Sequence, residues 1–271
     1  MIRLLVALLL FALPATAFAK GGDRVINHKV APTALDPAKA YLLFRSSTAK
    51  SGMINIEHIF LRIPADAEIA AYRAAKEAAY AADLPKLRKK AKDGRIPTLD
   101  EYAFAYDGAA NAFAVDGGDF LEDGEMRTFL VEVPAGTYVL YGVSAGGRDI
   151  TACNCLGTVK FEARPGLITE MGSLFADKVH KESPVPNLED NLGPSMFAYG
   201  FILGQALVPP TGALPRPVAL AHLPTKTAEY HAVGLFPEPG ALWINRLAPV
   251  PGILGYERGR AMDLRSGKPA E

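Results

Sequence analysis

The chain has 271 residues, and its 29 basic and 29 acidic side chains give a formal net charge of zero at pH 7. A neutral chain has no overall field to draw it onto nucleic acid or anionic lipid, which excludes binding driven by bulk charge. A hydrophobic content of 49% argues for a packed core, and two cysteines are too few for a disulfide-framework mini-fold.

The N-terminus carries a targeting pattern. Arg3 supplies a positive start, residues 4–13 form an apolar run, Pro14 breaks it, and Ala17-Phe18-Ala19 is an A-x-A cleavage site. The apolar run is about half the ~20 residues that a membrane span needs. Residues 1–19 are therefore expected to be a secretory signal peptide cut after Ala19. The mature chain is then periplasmic or secreted, with no further membrane span.

Residues 20–38 read as a leader. Residues 40–44 (AYLLF) form a short buried strand, followed by a Ser/Thr-rich turn at 46–52. Residues 53–63 (MINIEHIFLRI) are apolar on both faces, as in a strand covered on both sides. Beyond Pro64 the composition turns to Ala, Lys, Arg and Glu, which favours helix. Asp66 can cap its start, Asp83 and Pro85 suggest a second start after a break, and Gly94 ends it. Thr98-Leu99-Asp100-Glu101 matches a capping box that opens a short helix through Tyr102 and Phe104. Residues 65–105 are thus a helical insertion, with Tyr72 and Tyr80 packing against the sheet.

Residues 129–171 alternate period-two apolar segments with Pro/Gly turns and read as the inner sheet of an antiparallel protein. Phe129, Val131 and Val133 share one face; Val159, Phe161 and Ala163 repeat the pattern. Residues 184–251 are proline-rich, yet the pieces between the prolines are too apolar for a linker. Residues 184–271 are accordingly an extended C-terminal region packed on a sandwich formed by 20–183, with a solvated tail from Arg258.

Three stretches invite a chemical reading. GVSAG at 142–146 matches the nucleophile-elbow pattern, with Asp177 and His222 or His231 downstream in the order a hydrolase needs. Ser144 leads into a Gly-Gly turn and another strand, whereas the elbow requires a helix. Cys153 and Cys155, two apart on a strand, have three readings: buried inert thiols on the face of Val159 and Phe161, a disulfide that needs a kink at Asn154, or thiolate ligands for a soft metal. The acidic loop at 116–125 fails the calcium-loop spacing, because Gly118 and Phe120 stand where oxygen ligands are required. The histidines at 28, 58, 180, 222 and 231 show no ligand spacing. His58 sits in an apolar strand and reads as a core histidine, and a single tryptophan, Trp243, makes no sugar platform.

VPAGTYVL at 133–140 resembles the turn before a strand in prealbumin-like and carboxypeptidase-regulatory-like β-sandwiches, where a Gly-x-Tyr places the tyrosine at a strand corner. With residues 41–45 and 159–172, the pattern is similar to bacterial envelope domains of that type over residues 40–63 and 112–174. The resemblance implies an Ig/prealbumin-like antiparallel sandwich and brings no catalytic residues with it.

The expectation is an exported, mainly β, antiparallel sandwich with a helical insertion. It serves as a non-catalytic envelope module, without cofactor, that binds an envelope protein or cell-wall component and no nucleic acid. The alternatives are a serine hydrolase using Ser144 and a metal site at Cys153 and Cys155.

Overall fold

The computed structural model describes residues 26–48, 56–91, 94–108, 111–115, 120–123, 126–145, 150–176, 205–210, 216–235 and 243–271. The signal peptide, Asp177, His180 and most of the acidic loop lie outside them.

Two large sheets enclose the core. The first runs β1 (Ile26–Asn27), β6 (Met126–Pro134), β2 (Lys39–Thr48), β10 (Ile168–Ala176), β11 (Ala206–Val208). On it, β5 (Leu121–Asp123) also pairs with β6, and β12 (Thr225–Thr227) with β10. The second runs β13 (His231–Val233), β9 (Thr158–Ala163), β7 (Gly136–Ala145), β3 (Ile56–Arg62), β4 (Ala112–Val115). Here β8 (Ile150–Cys153) pairs with β7, and β14 (Trp243–Ile244) with β8.

The architecture is mainly β, but the sheets are mixed and not antiparallel throughout. Strand pairs β2–β10, β10–β12 and β8–β14 are parallel. The cause lies in the 129–171 run, which divides between the two sheets and is not one sheet. Strands β8 and β9 both run antiparallel to β7, with residues 154–157 looped out between them, so they act as one interrupted strand. The chain then reverses at Ala135, between β7 and β8, and at residues 164–167. After three reversals β10 runs opposite to β6. Because β2 is also antiparallel to β6, β2 and β10 are parallel.

Between the sheets, Leu42, Phe44, Phe129, Val131 and Leu174 meet Phe60, Phe113, Leu140, Val159 and Phe161. Phe44 stacks on Phe129 at 5.1 Å between centroids, and Tyr138 on Phe161 at 5.8 Å. Strand β2 is covered on its other face too. There Tyr41 and Leu43 join Leu130 and Ile168 under Phe120, Leu220 and Leu223. Strand β2 also continues through residues 46–48, which the sequence marks as a turn, because backbone pairing with β6 and β10 outweighs the Ser/Thr composition. Part of the acidic stretch is likewise structured, with β5 paired to β6 and Phe120 buried.

The insertion departs furthest from its sequence reading. Helix α1 (Asp66–Lys90) is one 25-residue helix that runs through Pro85 without a break. Pro85 removes one ladder bond near the helix end, and good helix formers on both sides carry the helix past it. The start is capped by Glu68 and not Asp66: Ala65 N–H donates to Glu68 Oε2 at 2.8 Å. The bonds of the Thr98–Glu101 capping box do form, but they close a single turn, and no second helix develops from it.

The C-terminal tail is mostly exposed, as its composition implies, yet it is folded into strands. Strands β15 (Leu254–Glu257), β16 (Arg260–Asp263) and β17 (Lys268–Pro269) make a small antiparallel sheet. Glu257 pairs with Arg260 across a two-residue turn in which Arg258 and Gly259 both have positive φ, at 48° and 81°. That is the hairpin turn whose twist matches its strands, usually made by Asn-Gly, so Arg-Gly hid it from a sequence reading. Leu254 and Ala261 enter the main core.

Candidate functional site

Ser144 lies inside β7, paired with Glu57 on β3 and Thr151 on β8. It is 0% exposed, and its Oγ has no hydrogen-bond partner among the described residues. Strand β8 begins at Ile150, which leaves no room for the helix that a nucleophile elbow needs. His231 lies on the sheet-edge strand β13 opposite Lys160, and His222 is exposed in a turn. The neighbouring His58 points to the opposite face of the sheet. The hydrolase constellation at Ser144 is not assembled.

Cys153 and Cys155 are joined by a disulfide with Cα atoms 5.2 Å apart, so neither offers a thiolate. The kink is at Asn154, which leaves the strand and donates its N–H to Tyr141 O at 2.5 Å. Both cysteines sit with Ile59 and Tyr141 on the outer face of the second sheet, not with Val159 and Phe161 in the core, because the loop at 154–157 breaks the alternation. Closing so short a loop stabilises a fold by only about 1.5 kcal/mol in the chain-entropy model, so the bridge shapes a turn more than it holds the domain together. Among the described residues no group of three or more His, Cys, Asp or Glu is placed to hold a metal.

The chain does assemble a polar cluster inside the sandwich. His58, 1% exposed, accepts or donates on both ring nitrogens: Nε2 lies 2.7 Å from Ser46 Oγ, and Nδ1 2.8 Å from Gln205 Nε2. Gln205 Oε1 accepts from Asn154 Nδ2 at 2.7 Å. Burial pushes the His58 ring down to about 4, so it is neutral at neutral pH. A serine beside a histidine suggests a nucleophile, but Ser46 is fully buried and no substrate could reach it. Sequence reading found His58 but missed Ser46, Asn154 and Gln205. Gln205 stands 147 positions from His58, and no local pattern signals that contact.

The exposed surface with the most distinctive chemistry is the arm formed by α1 and the return segment 95–107. None of the residues of α1 is buried. Tyr72 and Tyr80 pack on the return segment and not on the sheet: Tyr72 meets Phe104 and Tyr106 at 5.8 and 5.2 Å, and Tyr80 meets Tyr102 at 5.3 Å. Tyr80 OH donates to Pro97 O, and Tyr102 OH to Asp83 Oδ2, each at 2.8 Å. Lys86 and then Tyr102 hold the Asp83 carboxyl below its usual range. At the base, Arg62, 8% exposed, donates from both terminal nitrogens to the Glu68 carboxylate. The hydrogen bond from Arg62 keeps that carboxyl below the usual range as well.

The two ends of the arm are neighbours. Leu61 pairs with Ala112, and Arg62 N–H donates to Asn111 O at 2.7 Å, so β3 and β4 already form a hairpin into which the arm is inserted. The helix ends in Arg88, Lys89 and Lys90, with Asp66 and Glu68 in its first turn, so each end carries the charge that its dipole favours. No helix among the described residues is long and apolar enough to cross a membrane. Comparisons with protein-family models, with curated proteins and with solved structures found no match.

Proposed function

We propose that this protein is an exported, non-catalytic module of the cell envelope, an Ig/prealbumin-like sandwich that uses its helical arm to bind an envelope protein or cell-wall component. The observation that carries this reading is the arm itself: a 25-residue helix in which nothing is buried. Helices in globular proteins draw most of their stability from burying an apolar face. This one rests on its aromatic return segment and on the Arg62–Glu68 pair, and it adds nothing to the core between the sheets. Such an element serves the surface.

The test exploits the hairpin. Residues 63–110 are replaced by an Asn-Gly turn joining Arg62 to Asn111, which suits a two-residue hairpin. The shortened chain is expected to keep its β-rich circular dichroism and cooperative melting. The full-length chain, cross-linked in its own envelope, is expected to capture a partner that the shortened chain does not. A partner captured equally by both forms would remove the arm from the reading. A full-length chain that captures nothing would remove binding. N-terminal sequencing of the mature protein checks export, with Lys20 as the expected first residue.

A further inference from the structure

The cluster around His58 has a direction, and one atom sets it. The backbone oxygen of Leu140 can only accept, and it takes bonds from Thr158 Oγ1 at 2.5 Å and Asn154 Nδ2 at 3.3 Å. The Asn154 amide is thereby fixed with its nitrogen also facing Gln205, so Gln205 must present Oε1 to it. Gln205 is left with Nε2 toward His58 Nδ1, which must therefore accept. The ring proton is on Nε2 and is donated to Ser46 Oγ. One tautomer of His58 satisfies every member of the chain, and no protonation state with a proton on Nδ1 does.

A second proton on His58 would go to Nδ1 and meet the N–H of Gln205. Turning the Gln205 amide would restore that contact but would set its nitrogen against Asn154. Turning Asn154 as well would set its oxygen against Leu140 O. Gln205 is also the point where the C-terminal part of the chain is fastened. It bridges to Leu247, its carbonyl accepts from Ala248 N–H at 3.0 Å, and β11 continues directly from it onto β10. We infer that the relay from Leu140 through Asn154, Gln205 and His58 to Ser46 is an acid-released latch holding the C-terminal third of the chain in the sandwich.

The surroundings do not rescue the protonated ring. Strand β2 presents Ser46 and the edge-on ring of Phe44, 5.9 Å away, while β4 and β7 present Val115 and Val143. Across β2, Arg127 of β6 pairs with Ser46, and Glu122 of β5 in turn pairs with Arg127, so that side carries both charges, and the ring nitrogens bond to neither. Glu57 and Arg45, next to His58 and Ser46 in sequence, lie on the opposite faces of their strands. No carboxylate among the described residues is hydrogen-bonded or ion-paired to the ring.

The ring titrates near 6.5 when exposed and at about 4 when latched. The latch is therefore complete above pH 6.5, weakens as the pH falls toward 4 because only the open form takes up the proton, and weakens no further below that. Amide exchange at β11 and at residues 247–248 is the readout, corrected for the intrinsic pH dependence of exchange. Opening is expected to be roughly 50- to 100-fold more frequent at pH 4.5 than at pH 7.5, with the inner strands β2 and β7 little changed. The Gln205→Glu variant supplies an acceptor to Nδ1 and is expected to move the ring titration above 6.5 and abolish the acid-induced opening. Ring nitrogen shifts in the unsubstituted protein provide a measurement that needs no variant, with Nε2–H expected at pH 7. An Nδ1–H tautomer, a ring titrating near 6.5 in the folded chain, or β11 exchange indifferent to pH would each overturn the proposal.

Discussion

Tyr138 shows what a single residue contributes and why it could be read in advance. Gly136 starts β7 at the corner after Pro134, and the fully buried Tyr138 folds back to donate its OH to Pro134 O at 2.5 Å. The partners are four positions apart, so the Gly-x-Tyr spacing holds the whole interaction, and the strand corner is legible in the sequence. The His58 cluster is the opposite case: each member is unremarkable locally, and only the fold brings them together. Tyr138→Phe removes the bond but keeps the ring stacked on Phe161, so a loss of about 1 kcal/mol is expected in urea unfolding. A loss above about 3 kcal/mol would mean that the hydroxyl does more than close this corner.

Elements with a regular period were legible, and elements shaped by contact were not. Strands β6, β7, β9 and β10 announced themselves by alternation; their division between two sheets did not, because period two marks faces and not partners. The unbroken α1 was hidden by Pro85, and β16 and β17 by a short polar tail whose buried residue is a lone alanine. Strand β10 carries a device no pattern reveals. Its register against β2 shifts between Glu170 and Gly172, where φ is 89°. A Cβ on Gly172 would sit 2.2 Å from the Val208 carbonyl oxygen of β11. Gly172→Ala must therefore displace backbone, and a cost of about 3 kcal/mol is expected in chemical unfolding. Exchange should report the loss at β11 before β2. Unchanged protection at β11 would contradict the close approach.

At the scale of the whole molecule, the apolar content argued for a packed core, and the structure places that core between two large mixed sheets. What the sequence lacked was connectivity. The first 62 residues supply β2, flanked by β6 and β10, and β3, flanked by β7 and β4. The middle strand of the first sheet and the next-to-edge strand of the second thus come from the start of the chain, and the neighbours of both come from beyond the insertion. The helix connecting them ends in Arg88, Lys89 and Lys90, all exposed, with Arg95 just past it.

A nick at that basic tip would therefore make this a two-piece protein. Trypsin in limiting amount is expected to cut there first and to yield two fragments on a denaturing gel that still elute together under native conditions. Neither piece could fold alone, since the first would hold β1, β2 and β3 without the strands they pair with, and the second would lack the strand between β6 and β10 and the strand between β7 and β4. Expressed separately, the two should be unstructured apart and fold on mixing; fragments that separate without denaturant would show that the strand ladders do not hold the halves together. The arm thus sits at a natural splice in the chain, where covalent continuity and structural continuity come apart.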